Sequence, residues 1–270
     1  MIIPGSPFDD YTLSWRMFRC MSNENMIFGD AISKCDIYIR STKRVIVDLG
    51  TGDGDVIKRV ISHDNNTDKR TYLLVDPSDE YLHIAKLLTS KYAPKISYKC
   101  MSFKDIVFNE NMLCLSVHML YLLDDHEIAE VFKLPEKGVE LIVICDDGES
   151  VFSELWTKFA KKYYERTLQI IKSFNIAKEK YDCCESYINT KVISPIKNDR
   201  IGEEVFSSMM SVMCYHDWRD MNDDDREIAL AIIQGYIIDG YIQCRSRLIQ
   251  INTNKNIIRL EEKTTGPCKD

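Results

Sequence analysis

The chain has 270 residues, of which 45% are hydrophobic, enough for one large α/β domain with its own core. Its 42 acidic and 35 basic side chains give a net charge of -7, which argues against nucleic acid as a partner. No apolar run approaches the roughly 18 residues of a membrane span and no secretory signal is recognisable, so we expect a cytoplasmic protein. The ten cysteines are then thiols, and the five histidines show no ligand spacing that would predict a metal site.

The N-terminal part of the chain has the periodicity of α-helices. Apolar residues recur at helical intervals over residues 9–40, which predicts two helices, and residues 1–42 are expected to form an N-terminal helical cover. Short apolar runs then alternate with amphipathic segments, a pattern typical of a parallel sheet. The predicted strands are Arg44–Leu49, Thr71–Val75, Ile96–Cys100, Leu113–Val117, Glu140–Cys145, Tyr181–Tyr187 as a sixth, and Tyr241–Ile251 as a seventh with its hairpin partner.

Signals for helix starts lie between these strands. Four helices are expected, each with an N-cap residue at its start. Asp55 caps a helix that ends at Ile61, Ser78 one that ends at Leu88, Asp124 one that ends at Phe132, and Ser150 or Ser153 one that ends at Tyr163. Two helical patterns within Glu203–Gly235 predict a substrate-side helical insertion over about 195–238. Its methionines and phenylalanines are either core residues or a flexible pocket wall. With no internal repeat and no Pro/Gly-rich linker, one domain is expected over 1–270.

The strongest local signal is the segment VIVDLGTGDGDVIKRVI, which joins a buried strand, a glycine-rich turn and a helix start. Gly50 and Gly52 permit a sharp turn and let a ligand approach the backbone, while Gly54 allows close helix packing. A second strand ends at Asp76, whose carboxylate can accept both hydroxyls of a ribose. The two features together predict a nucleoside-containing cofactor at the carboxyl edge of the sheet.

Two cofactors fit such an edge, a dinucleotide and S-adenosylmethionine (SAM). The dinucleotide motif is G-x-G-x-x-G, with a helix start facing a pyrophosphate. Here the motif reads G-T-G-D-G-D, and Asp53 and Asp55 would repel a pyrophosphate. The zwitterionic methionyl group and the sulfonium of SAM tolerate these carboxylates, which favours SAM. A last strand antiparallel to the others, as in SAM-dependent methyltransferases, is compatible with Tyr241–Ile251.

Beyond this class, the chain resembles the histamine N-methyltransferases from Tyr11 to about Ile251. The resemblance is carried by YTLSWRMFRCMSNEN, VDLGTGDGD, VDPSDEYL, SVHMLYLLDD and GESVFSELWTKF. It implies an α/β, Rossmann-like class I methyltransferase fold with a seven-stranded, mostly parallel sheet. It also implies SAM as the cofactor and a small-molecule acceptor, such as an amine.

The resemblance further implies which residues form the site. Those expected to contact SAM are Gly50, Gly52, Asp76, Tyr81, Ser102 and Val117. Those expected to line the substrate pocket are Tyr11, Trp15, Phe18, Glu24, His118, Tyr121, Phe152, Trp156, Phe206 and Cys244. Glu24 matches the family's acidic anchor for a substrate ammonium, whereas without the resemblance it would be interpreted as a solvated helix carboxylate.

Two positions depart from the family pattern. His118 stands where the family has a glutamine, and Gln243 or Cys244 stands where it has a substrate-binding asparagine, so histamine specificity does not follow. Glu24 and His118 are the expected catalytic residues, and His118 either accepts a proton from an amine or orients an imidazole. The alternatives are another small acceptor, such as an amino acid derivative or a phenol, and a non-catalytic SAM-binding module. We expect a monomer.

Overall fold

The computed structural model describes residues 11–196 and 201–253, and within those ranges it contains ten α-helices and eight strands. The helices are α1 (Tyr11–Cys20), α2 (Glu24–Lys34), α3 (Asp36–Arg40), α4 (Asp55–Ser62), α5 (Asp79–Thr89), α6 (Asp125–Phe132), α7 (Val151–Phe159), α8 (Lys161–Lys180), α9 (Glu203–Cys214) and α10 (Asp223–Gly235). The strands are β1 (Val45–Leu49), β2 (Thr71–Asp76), β3 (Ile96–Cys100), β4 (Met112–Val117), β5 (Glu140–Asp146), β6 (Asp182–Ile193), β7 (Ile237–Ile238) and β8 (Tyr241–Asn252). Sequence predictions at 1–10, 197–200 and 254–270 lie outside the described residues.

The described strands form one sheet in the order β3-β2-β1-β4-β5-β8-β6, with the short β7 paired to β8. Strands β1 to β5 are parallel, whereas β8 is antiparallel to both β5 and β6. Because β2 and β4 flank β1, the connections leave β1 and β4 in opposite directions, and a crevice opens at the carboxyl ends of these two strands. The predicted α/β, mostly parallel sheet is confirmed, and β7 adds a two-residue eighth strand.

Helices cover both faces of the sheet. Strand β5 is buried along its whole length, as expected of a strand that is covered on both sides. Val47 and Val143 pack with α6, α7, α8 and α9, while Ile46 and Ile142 point to the opposite face and pack with α2, α4 and α5. The alternation along β1 and β5 therefore divides the core into two apolar clusters.

The helix starts follow the local signals except at Asp55. The side chains of Ser78, Asp124 and Ser150 each accept a hydrogen bond from a backbone N–H in the first turn of the helix. The N-cap of α4 is instead Gly54, in the left-handed conformation with φ +82°, and Asp55 is the first helical residue. The helix predicted to reach Tyr163 ends at Phe159, because Ala160 leaves the helical conformation before α8.

The N-terminal segment reaches across the molecule to the insertion. Residues 11–40 form three helices and not the predicted two, because Cys35 is extended between α2 and α3. Helix α1 packs against α9, and the hydroxyls of Tyr11 and Tyr215 form a hydrogen bond of 2.6 Å. Helix α2 packs on α4, where the Cβ of Arg59 lies 2.5 Å from the position of a Cβ on Gly29. These contacts place the end of α1 and the start of α2 over the crevice.

Candidate active site

The glycine-rich turn after β1 needs glycine because of both backbone conformation and space. Gly50, Gly52 and Gly54 have φ values of +65°, +56° and +82°, which other residues rarely adopt. A Cβ on Gly50 would lie 2.7 Å from the Cβ of Met119, two residues after the end of β4. A Cβ on Gly54 would lie 2.9 Å from the Cβ of Ala85, so Gly54 admits α5 close to the turn. The turn therefore brings bare backbone to the crevice.

Two buried carboxyl groups hold this turn in place. Asp76, at the end of β2, accepts hydrogen bonds of 2.9 Å from the backbone N–H groups of Gly52 and Ser78. Asp48 accepts a hydrogen bond of 2.6 Å from the hydroxyl of Thr51. Burial raises the pKa of Asp76 and raises that of Asp48 to about 7. Because a carboxylate has about four lone-pair sites, Asp76 keeps acceptor capacity for further hydroxyl groups.

Helix α1 closes the crevice over the turn. The Nη1 atom of Arg19 donates to Oδ1 of Asp53 at 2.9 Å, and it lies 3.4 Å from the position of a Cβ on Gly52. The space beneath, which we name the turn cavity, is lined by Trp15, Arg19, Glu24, Asn25, Phe28, Asp48, Gly50, Thr51, Asp53, Val56, Val117 and His118. It includes Gly50 and Val117, two of the residues that the sequence predicts to contact a cofactor.

A second space, which we name the aromatic cavity, adjoins the turn cavity. It is lined by Trp15, Glu24, His118, Tyr121, Asp146, Phe152, Trp156 and Tyr215. Tyr121 and Trp156 meet edge to face, with 5.0 Å between ring centroids, and the indole N–H of Trp156 donates to the carbonyl of Met213 at 3.1 Å. The two cavities share Trp15, Glu24 and His118. These three side chains therefore mark the place where ligands of the two cavities would meet.

Two carboxyl groups face the aromatic cavity. Glu24 begins α2 and is 5% exposed, and burial raises its pKa to about 7. Asp146 ends β5 and accepts hydrogen bonds from the hydroxyls of Ser150 and Ser153, which partly offset the effect of burial, and its pKa is raised to about 6. Aromatic faces together with carboxylates are the groups that bind organic cations.

His118 lies at the junction of the two cavities in a left-handed conformation, with φ +51°. Its Nε2 atom is 3.2 Å from the hydroxyl of Ser246, and its Nδ1 atom is 3.5 Å from that of Tyr121. Burial lowers its pKa to about 3, and the positive charge of Arg19 acts in the same direction. The imidazole is therefore neutral at physiological pH and suits an orienting role better than that of a base.

The remaining predicted site residues lie around these cavities. Tyr11 and Phe18 are buried behind Trp15, whose ring stacks on that of Phe18 at 5.3 Å. Cys244 is buried in β8, and burial raises the pKa of its thiol, with the charges of Glu24 and Asp146 acting in the same direction. Tyr81 is buried near Tyr11 and Arg19, and Ser102 is exposed with its hydroxyl bonded to Asp105. Phe206 packs on Trp218 and does not line either cavity, and Gln243 bonds the carbonyl of Tyr241.

Among the lining side chains that the sequence reasoning missed, three are central to the site. Arg19 covers the turn, while Asp146 and Tyr215 line the aromatic cavity. Asp146 had a usable signal, since it ends a parallel strand as Asp76 does. Arg19 and Tyr215 had none, because each reaches the site only through packing between helices that are distant in the sequence.

The site as described has little free space and no metal-binding cluster. The free volume is about 20 Å³ in the turn cavity and about 10 Å³ in the aromatic cavity, so their side chains fill most of the space between the lining residues. A wider cavity of about 690 Å³ lies at the amino ends of the strands, beside Glu140 and Asp182, away from the edge where such sheets bind ligands. Among residues 11–196 and 201–253, no three His, Cys, Asp or Glu side chains could hold a metal ion, and no helix is long and apolar enough to cross a membrane.

Comparison with known proteins identifies the fold. No protein-family model and no curated protein sequence matches the chain. The plantazolicin methyltransferase BamL, whose crystal structure contains a triazolic desmethylPZN analog and SAH, is 15% identical with a TM-score of 0.50 over 90% of each chain. The YcgJ protein from Bacillus subtilis is 11% identical with a TM-score of 0.50, over 85% of this chain and 98% of its own. At this identity the likeness is one of fold.

The strand order and these likenesses agree on one class of fold. Five parallel strands followed by an antiparallel last long strand inserted between β5 and β6 form the Rossmann-like sheet of class I methyltransferases. The fold predicted from the sequence is therefore confirmed. The likeness to histamine N-methyltransferases is finer than the fold and stays a prediction.

Proposed function

We propose that this protein is a SAM-dependent methyltransferase that methylates a nitrogen of a small amine. The observation that carries the proposal is the junction of the two cavities at Trp15, Glu24 and His118. One cavity presents bare backbone and carboxyl groups at a glycine-rich turn, and the other presents aromatic rings and two acids. A methyl donor and a cationic acceptor would meet at that junction.

The turn fits SAM on two observations. Gly52 has φ +56°, and the position of a Cβ on it faces Arg19 at 3.4 Å, so the bare turn leaves a cradle of backbone beneath α1 that a larger side chain would fill. Asp76 lies beside this cradle with acceptor capacity left for the hydroxyls of a ribose. We further assign Val117 to the cofactor side, together with Tyr81 and Ser102 at its outer end. When bound, SAM supplies an electrophilic methyl group on a sulfonium.

The residues of the aromatic cavity bind and position the acceptor. The rings of Trp15, Tyr121, Phe152 and Trp156 exclude water and stabilise a cation, while Glu24 pairs with the ammonium. A neutral lone pair is needed for transfer, and Glu24, with a pKa of about 7, is placed to accept the proton of the amine. His118 is neutral and orients the acceptor or the tyrosine beside it. An imidazole acceptor such as histamine would need no deprotonation before the transfer at neutral pH, and the methylimidazolium formed would lose its ring proton afterwards.

Calorimetry and an acceptor panel test the proposal. Wild-type protein should bind SAM, and Gly52→Val should lose at least about 100-fold in affinity, because a branched side chain at φ +56° would face Arg19 and fill the cradle. The variant should keep the circular dichroism spectrum of the wild type. Mass spectrometry should detect methyl transfer to amines within a panel of histamine, aliphatic amines, amino acid derivatives and phenols.

Three results would contradict the proposal. Unchanged SAM affinity in folded Gly52→Val would place the cofactor elsewhere. Methylation of phenols alone would indicate a different small acceptor. Tight SAM binding with no turnover of any acceptor would indicate a regulatory SAM-binding module.

A further inference from the structure

Arg19 is the one permanently cationic side chain among the described residues that line the turn cavity. Its neighbours there are acidic or neutral: Glu24, Asp48 and Asp53 carry carboxyl groups, and His118 is held neutral by burial. A guanidinium at this position would repel a ligand that carries only positive groups. A zwitterionic ligand would, because its ammonium and its carboxylate need groups of opposite charge.

The position of Arg19 is fixed by two elements. The side chain projects from the last turn of α1, lies over the ring of Trp15 at 5.5 Å and bonds to Asp53 at 2.9 Å. Its two terminal nitrogens lie 3.4 and 3.5 Å from the position of a Cβ on Gly52. The guanidinium therefore stands directly above bare backbone, with a carboxylate as its present partner.

We infer that Arg19 binds the carboxylate of the methionyl group of SAM, exchanging its bond to Asp53 for this ligand. The inference rests on the proposed function. With the ribose at Asp76, at the end of β2, the rest of the cofactor must extend along the carboxyl edge towards β4, across Gly50 and Gly52. That course passes beneath Arg19. Asp53 and Asp48 are then left to face the ammonium of the same group.

A purely structural role for Arg19 has a different signature. If Arg19 only ties α1 to the turn, its loss would weaken every ligand of the turn cavity to the same extent. If it binds the carboxylate, its loss would weaken only ligands that carry one. Decarboxylated SAM separates the two cases, because it keeps the adenine, ribose, sulfonium, methyl and amino groups and lacks only the carboxylate.

Isothermal titration of SAM and decarboxylated SAM into wild type, Arg19→Gln, Arg19→Lys and Asp76→Asn tests the inference. Arg19→Gln should weaken SAM about 10- to 100-fold, the effect of a lost charged hydrogen bond, and leave decarboxylated SAM within about twofold. Arg19→Lys keeps the charge without the planar fork and should restore part of the SAM affinity. Asp76→Asn, as the matched control, should weaken both ligands alike because both contain the ribose. Thermal melting should confirm that each variant is folded.

Results that would overturn the inference differ from those that would overturn the proposed function. Equal losses for both ligands in Arg19→Gln would overturn the inference in favour of a structural tie, and no loss for either would assign the carboxylate to backbone N–H groups of the turn. Wild-type protein that binds neither ligand would overturn the proposed function, and the inference with it.

Discussion

At Glu24, burial and neighbouring charges act on one carboxyl group. Burial raises its pKa to about 7, the positive charge of Arg19 lowers it, and the negative charge of Asp146 raises it. An ammonium ion in the aromatic cavity would add a second positive charge at closer range. Binding of an amine would therefore favour the ionised form of Glu24 and release its proton near neutral pH.

Replacement of Glu24 by glutamine tests this role. Glu24→Gln keeps the shape of the side chain and removes its charge, so an amine acceptor should lose about 1 to 3 kcal/mol in kcat/KM, roughly 5- to 150-fold. SAM affinity, measured by calorimetry, should stay within about twofold of wild type. Glu165→Gln on α8 is the control, since that side chain is 60% exposed. Amine turnover that is equal in wild type and Glu24→Gln would remove the ammonium from the proposal.

At the scale of elements, the site depends on the packing of α1 against α9. Helix α1 carries both Trp15 and Arg19, while α9 ends at Cys214, directly before Tyr215. The hydrogen bond between the buried hydroxyls of Tyr11 and Tyr215 joins the two helices across 204 residues of sequence. The N-terminal cover and the helical insertion therefore meet at the aromatic cavity.

A double-mutant cycle measures the interaction energy between the hydroxyls of Tyr11 and Tyr215. Tyr11→Phe and Tyr215→Phe should each lower the free energy of unfolding by about 0.5 to 1.5 kcal/mol, and the double variant should lose less than the sum because both remove the same bond. Urea denaturation gives the four values. Tyr187→Phe, on a side chain that is 53% exposed, should change stability by less than about 0.5 kcal/mol. Strict additivity of the two losses would mean that the hydroxyls do not interact in solution.

Across the whole molecule, burial has opposite outcomes for the carboxyl groups at the carboxyl edge of the sheet and for Asp64. At the carboxyl edge, burial raises the pKa of Asp48 to about 7 and that of Asp146 to about 6. The side chain of Asp64, which lies between α4 and β2, is buried too, and burial alone would raise its pKa. Hydrogen bonds from Tyr72 and from the backbone of Asn66, together with the positive charge of Arg70, outweigh this effect and lower the pKa. The carboxyl edge is therefore built to receive positive charge, whereas the Asp64 site is already neutralised.

The pH dependence of stability should report this difference. In the unfolded chain, Glu24, Asp48 and Asp146 titrate near pH 4, whereas in the folded protein they titrate at about 6 to 7. The folded state thus binds more protons at these three groups over that window, whereas at His118, whose pKa burial lowers to about 3, it binds fewer. Because three groups outweigh one, the free energy of unfolding should fall as pH rises from about 4 to about 7. Urea denaturation at about pH 5 and about pH 8 should show a loss of at least about 1 kcal/mol. The slope should flatten in Glu24→Gln/Asp146→Asn, and stability that rises with pH would contradict these burial effects.

The sequence by itself determined the first five strands of the sheet and the local signals of its helices, whereas the predicted sixth strand, Tyr181–Tyr187, instead runs over Asp182–Ile193. The first five strands begin and end within one residue of their predicted bounds. Parallel strands that are covered on both faces have nearly continuous apolar sequences, which makes them easy to locate. Ser78, Asp124 and Ser150 cap their helices because such a bond spans only two or three residues. The strand ending at Asp76 and the turn at Gly50 are equally local features.

Only the tertiary structure decided which side chains share a cavity. Arg19 lies over Gly52, Tyr215 joins Tyr11, and Phe206 turns to Trp218 and away from both cavities. At the start of α4, Ala85 of α5 leaves no room for a side chain at Gly54, and Gly54 is the N-cap in place of Asp55. Each of these outcomes depends on contacts between segments far apart in the chain. Helical periodicity predicts that a face is buried, but the partner of that face is chosen by packing in three dimensions.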